Sequence, residues 1–122
     1  EFPDLGIEIG MASECTLGMH GQLEYRGTRL AGMWPHDQVK VAAQAGAHIW
    51  GPAVNINTGK TCAWNAARTV ALLRRACEEA EIAVHPNVGM GVCGVPMTLR
   101  APVDAVCRAS RALVDLLRID GL

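Results

Sequence analysis

The sequence predicts an α/β fold, consecutive parallel β/α units forming part of a TIM-type (β/α)8 barrel, on three observations. Short apolar runs alternate with segments of helical period. The runs begin about 35 to 42 residues apart, which suits parallel strands joined by crossover helices. Loops after strands are long and loops after helices are short, the asymmetry of barrels that build function at the C-terminal ends of their strands. A doubly wound open sheet is the alternative. Residues 1–122 are read as one partial barrel domain of about three and a half β/α units, with no second domain.

Leu5 to Met11 is the first expected strand, followed by a polar loop punctuated by glycine as far as Trp34. Pro35 suits the first position of a helix, with Val39, Ala42 and Ala43 on one face and Gly46 closing it. Ala47 to Trp50 is the second strand. A loop through Asn55 and Asn57 leads to a helix from Thr61, a good N-cap, to about Glu81, with Ala63, Ala67, Val70, Leu73 and Cys77 at helical spacing. Ile82 to His85 is the third strand. After the long loop Pro86 to Ala101, Pro102 opens the last helix, Asp104 suits the positive end of its dipole, and Val103, Val106, Leu113, Val114 and Leu117 form the expected buried stripe. Arg118 to Leu122 reads as the opening of a further strand. With Glu1 standing where an initiator methionine would be, the chain is read as a piece of a larger protein, expected to be marginal or aggregation-prone alone because its strand edges lack partners.

Half of the 122 residues are hydrophobic and the net charge is −1. That supplies material for a core and argues against a disordered tail. No cluster of cations is denser than Arg68, Arg74 and Arg75, so neither nucleic acid nor a membrane surface is an expected partner. No secretory leader pattern or spanning-length apolar run is present, and the expected compartment is the cytoplasm. Five scattered cysteines without a C-x-x-C pair argue against a disulfide framework or zinc knuckle and for reduced thiols, most of them small buried hydrophobes. Cys93, in a glycine-rich loop, has no neighbouring His or Lys to activate it.

Two phosphate-loop patterns fail on context. Gly89-Met90-Gly91-Val92-Cys93-Gly94 matches G-x-G-x-x-G, but Val95-Pro96 follows the third glycine and no helix N-terminus is there to receive a pyrophosphate. Gly59-Lys60-Thr61 resembles the end of a Walker loop, yet Val54 stands where the leading glycine is required. The four histidines have no metal-ligand spacing with one another or with the cysteines, so no metal site is expected.

The barrel reading places functional groups at strand ends. Glu14 follows the first strand, Asn55 and Asn57 the second, and His85 and Asn87 end the third. Glu14 and His85 are the candidate catalytic residues, and Asn55, Asn57 and Asn87 the candidate substrate-binding ones. Glu8 alternates with Ile7 and Ile9 and so points to the barrel interior, where a carboxylate needs either an ion-pair partner or a catalytic role. His20 and His36 are expected to bond at the surface, and His48 to cap or pack.

Five stretches carry a resemblance across essentially the whole chain: Gly18-Met19-His20-Gly21, Leu30 to His36, Lys60 to Arg68, Val88-Gly89-Met90-Gly91-Val92 and Pro102 to Val106. In this order and spacing they resemble the dimethylamine:corrinoid methyltransferases. The resemblance implies a cytosolic (β/α)8 barrel in methylamine metabolism and methanogenesis, moving a methyl group from dimethylamine to the Co(I) centre of a separate corrinoid protein. It implies no directly bound cofactor, since the cobalamin-type corrinoid is carried by that partner, and a homo-oligomer at full length. It also implies pyrrolysine after an Asp-Gly-aliphatic triplet matching Asp120-Gly121-Leu122. Leu122 is therefore expected to be an artificial terminus where an amber codon was taken as a stop, and residues 1–122 alone are expected to be inactive. The alternatives are a pyrrolysine-free corrinoid-dependent relative and an inactive truncated chain that at most binds the corrinoid protein.

Overall fold

A computed structural model describes residues 3–12, 22, 24–54, 65–87 and 102–122. The fold is mixed α/β. Strand β1 (Glu8–Ala12) is followed by a short hairpin, β2 (Glu24–Tyr25) and β3 (Thr28–Arg29), then helix α1 (Pro35–Gln44) and strand β4 (Ile49–Ala53). Helix α2 (Asn65–Glu79), strand β5 (Ala83–Val84) and helix α3 (Val103–Leu116) complete the order.

The three longer-range strands form one parallel sheet in the order β1-β4-β5. Glu8 pairs with Ile49, Gly10 with Gly51 and Ala12 with Ala53, while Ile49 pairs with Ala83 and Trp50 with Val84. The β4–β5 ladder runs on past β5, because the N–H of His85 donates to Trp50 O at 3.0 Å and that of Asn87 to Pro52 O at 3.0 Å. Pro52 brings no N–H to this central strand, yet its carbonyl accepts the Asn87 bond, so the ladder with the β5 side continues past it.

Alternation splits the sheet into unlike faces. Trp50 and Val84, with Met11 from β1 and Val54 just past β4, are buried in one cluster with Val39 and Ala42 of α1, Leu73, Ala76 and Cys77 of α2, and Leu113 and Leu117 at the end of α3. All three helices thus pack on a single face. Burial pushes the Cys77 thiol up to about 11, with Asp120 adding to the shift, so this cysteine behaves as a core hydrophobe.

Helix α1 has the expected bounds, and its end shows why. Gly46 takes φ +87°, its N–H bonds Ala43 O and the N–H of Ala47 bonds Ala42 O, the paired bonds of a Schellman cap. Gln38 takes a buried position beside Val39 and Ala42, its amide donating to Met33 O, while Ala43 is only half-buried.

Several expectations are corrected. The strands lie further along the chain: β1 begins at Glu8, leaving Leu5 and Ile7 exposed, and β4 begins at Ile49 and runs through Gly51-Pro52. In α2, Ala67 is exposed, and the buried face is Asn65, Thr69, Leu73, Ala76 and Cys77. Polar residues hold the first two positions because their side chains are bonded: Asn65 Nδ2 donates to Val54 O and the Thr69 hydroxyl to Asn65 O. In α3 the buried stripe is Ala105, Ala109, Leu113 and Leu117, and Val103 and Val114 are 78 % and 56 % exposed. These valines lie eleven residues apart, almost in line on a second stripe that Cys107 joins, and Cys107 is exposed rather than buried.

The hairpin is a finding without a counterpart in the sequence reading. Its turn places Arg26 at φ +49° and Gly27 at φ +77°, the two left-handed residues of a type I′ turn. Tyr25 docks the hairpin on the rest of the fold by donating to Gln44 O. Residues 118–122 form no strand, yet they are tied to β5: the N–H of Asp120 donates to Val84 O at 3.0 Å, and Asp120 Oδ2 accepts from Val84 N–H at 2.9 Å.

Candidate functional site

The face of the sheet opposite the helices carries a different chemistry. Its rows across the strands are Glu8, Ile49 and Ala83, then Gly10, Gly51 and His85, then Ala12, Ala53 and Asn87, from the pairings and the continuing ladder. Parallel strands place those of one row side by side, about 4.8 Å apart. Three of the candidate site residues, Glu8, His85 and Asn87, therefore share one face. His85 and Asn87 follow β5 at its C-terminal end; Glu8 opens β1, at the opposite edge.

Glu8 does not stay on its own strand. A methyl group at Gly51 would stand 2.5 Å from Glu8 Oε1, with Cδ at 3.4 Å, so the carboxylate reaches across onto β4 and up toward the row of His85. Gly10 is exposed, and a methyl group there would make only an ordinary van der Waals contact, 3.9 Å from Gly51 O. His85 leans the other way: a methyl at Gly121 would meet Nε2 at 2.7 Å, Cδ2 at 2.9 Å and Cε1 at 3.0 Å. An acid thus lies over Gly51 and an imidazole against Gly121, both on a sheet face that no described element covers.

Glu14, Asn55 and Asn57 lie outside the described residues, as do the G-x-G-x-x-G segment at 89–94, Gly59-Lys60-Thr61, Ala63, His20, Cys15, Cys62 and Cys93. Of the two roles expected of His48, capping or packing, the structure shows the first: the residue is exposed and its Nδ1 accepts the N–H of Ile7 at 3.0 Å, just before β1. His36 lies 3.7 Å from Asp37 Oδ2 at the start of α1. Sequence reasoning passed over Gly51 and Gly121; the signal available was a glycine inside a strand run, which marks close approach by another group.

Two grooves lie elsewhere. One of about 410 Å³ between α1 and α2 is lined by Lys40, Gln44, Glu79 and Glu81, and its Lys40 and Glu79 are paired with each other. Lys40 Nζ is 2.7 Å from Glu79 Oε2, and Arg75 Nε is 2.5 Å from Oε1; these bonds, Lys40 first, hold the Glu79 carboxyl down to about 2. The other, about 250 Å³, is lined by Cys77, Glu81, Arg118 and Asp120. Both adjoin the C-terminal ends of helices, hence the N-terminal side of the sheet, whereas open parallel sheets and barrels bind ligands at the strands' C-terminal ends. Among the described residues no three His, Cys, Asp or Glu side chains form a group able to hold a metal ion, and no described helix is long and apolar enough to cross a membrane.

A family model described as dimethylamine methyltransferase matches residues 1–122. No solved structure matches the chain.

Proposed function

The chain belongs to the dimethylamine methyltransferase family, and from that premise we propose that it supplies the first units of a (β/α)8 barrel that moves a methyl group from dimethylamine to the Co(I) centre of a cognate corrinoid protein. The observation that carries the reading is the one-sided sheet. Three parallel strands in consecutive order keep their helices on one face and leave the other free with His85 and Asn87 at its C-terminal end, the arrangement of a barrel wall with its functional groups toward the mouth.

The open face fits a group brought by a partner. Gly10, Gly51 and Ala53 put no bulk on it, and an imidazole and a carboxamide supply hydrogen-bonding groups able to orient a small reactant. The partner's corrinoid supplies a two-electron cobalt nucleophile. In such a transfer the N–CH₃ bond of the protonated amine would break as the cobalt electron pair forms a Co–C bond, and the pair left on nitrogen would make neutral monomethylamine the leaving group. Asn87 orients the amine, His85 holds or releases the proton that nitrogen exchanges, and Glu8 balances positive charge on the amine.

On this reading the full protein carries pyrrolysine after the Asp120-Gly121-Leu122 triplet, acts in the cytoplasm as a homo-oligomer, and residues 1–122 alone are inactive. The test compares the amber-readthrough product with residues 1–122, each mixed with dimethylamine and reduced corrinoid protein, following the corrinoid absorbance and monomethylamine release. Turnover by the readthrough product alone is the expected result. Absence of turnover in both, or turnover only with another methylated substrate, would sink the proposal.

A further inference from the structure

We propose that Gly51 and Gly121 are positioning residues, each keeping clear the space into which a functional side chain from another segment is laid, so that Glu8 and His85 form an acid–imidazole pair receiving a small protonated amine. The inference rests on the methyltransferase reading for the identity of that amine, dimethylammonium, but its geometry stands apart from it. The row Gly10, Gly51 and His85 consists of two glycines and an imidazole. Glu8, one row lower on β1, has brought Oε1 to within 2.5 Å of the place where the Cβ of residue 51 would be. Its carboxylate has crossed one strand and stands next to the row position of His85. On the far side, the Asp120 clip to Val84 fixes the neighbouring Gly121 against the His85 ring.

The two glycines differ in this respect from Gly27, Gly32 and Gly46. Those three adopt positive φ and face open space, so backbone conformation explains them. Gly51 and Gly121 do not adopt positive φ, and what surrounds them is in each case the far end of one functional side chain. Adding a methyl group would therefore push aside a flexible carboxylate or a ring, at small cost to folding and at direct cost to the site. A protonated secondary amine offers two N–H donors and one positive charge, which one carboxylate oxygen and one imidazole nitrogen complement.

The deciding experiment is a pair of mutant cycles in the full-length protein. Gly51→Ala, Glu8→Ala and the double variant are compared for dimethylamine KM and kcat, and for binding of dimethylammonium chloride by calorimetry. Loss of one charge-assisted bond predicts a rise of about 10- to 100-fold in KM and dissociation constant for each single variant. Melting temperature should be nearly unchanged for Gly51→Ala, and Gly51→Ala should add nothing once Glu8 is gone. Gly121→Ala against His85→Ala should give the same masking, read in kcat. An equal Gly51→Ala penalty in both backgrounds would show a purely structural glycine and overturn the proposal; so would an unchanged KM and dissociation constant. If the unaltered protein binds dimethylammonium with this masking but turns nothing over, the pair stands and the methyltransferase reading fails.

Discussion

The two faces of the same three strands follow opposite rules. On the helix side Trp50 and Val84 are sealed together with residues from all three helices; on the other side the same strands carry an acid, an imidazole and a carboxamide among glycines, alanines and the single larger apolar residue Ile49. One residue of displacement along a strand separates the two environments. Burial of large apolar surface supplies the stability of one face, and the other is left free to hold polar groups whose desolvation the fold does not have to offset. The difference teaches that the site and the core are set by one register and can be perturbed independently.

That separation can be broken most severely at Trp50, which is fully buried. Trp50→Ala should cost about 3–5 kcal/mol of unfolding free energy by chemical denaturation; an unaltered midpoint would mean that the helices are not seated on this face. Next comes Asn65, whose Nδ2 bonds Val54 O at 2.9 Å in a buried setting. Asn65→Ala leaves that carbonyl without its amide and should cost about 1–3 kcal/mol, and Asn65→Asp, which cannot donate there when ionised, should do no better.

Glu8 sharpens the comparison from the other side. Its residue is exposed, and Glu8→Gln should leave folding stability within about 0.5 kcal/mol while impairing turnover in the full-length protein. A stability loss comparable to that at Trp50 would make Glu8 a core residue instead.

The smallest effect is expected at Glu79, where two cations from α1 and α2 hold the carboxyl down from 4.5 to about 2. A carboxyl depressed in the folded state favours folding above about pH 4.5, and that contribution disappears as pH falls from there toward 2. Glu79→Gln should flatten this part of the acid limb. The side chain is 31 % exposed, so added salt should shrink the difference, and a limb unaffected by both salt and substitution would show the ion pair to be energetically idle.

Much of this was legible from local pattern. The rhythm of apolar runs and helical stripes located all three helices and the order of the three sheet strands, the Pro35 start and Gly46 stop of α1 were signalled by single residues, and the alternation at Ile7-Glu8-Ile9 put Glu8 on the face away from the helices. Strand bounds slipped because Gly51 and Pro52 are poor strand formers in isolation, and their place in β4 comes from ladder bonds to β1 and from Asn87. The α3 stripe was misjudged because the helix has two apolar lines, and helical periodicity alone does not say which one meets the sheet.

Sequence by itself therefore determined the α/β class, the succession of the three sheet strands and three helices, and the family, since these reside in composition, period and motif order along the chain. Only the tertiary structure decided that all three helices share one face, that Asp120 clips to Val84 thirty-six residues away, and that Gly51 and Gly121 lie under Glu8 and His85. The reason is physical: periodicity fixes which residues share a face of one element, but which side chain meets which glycine depends on register between strands distant in sequence, and that is set by the packing of the whole sheet.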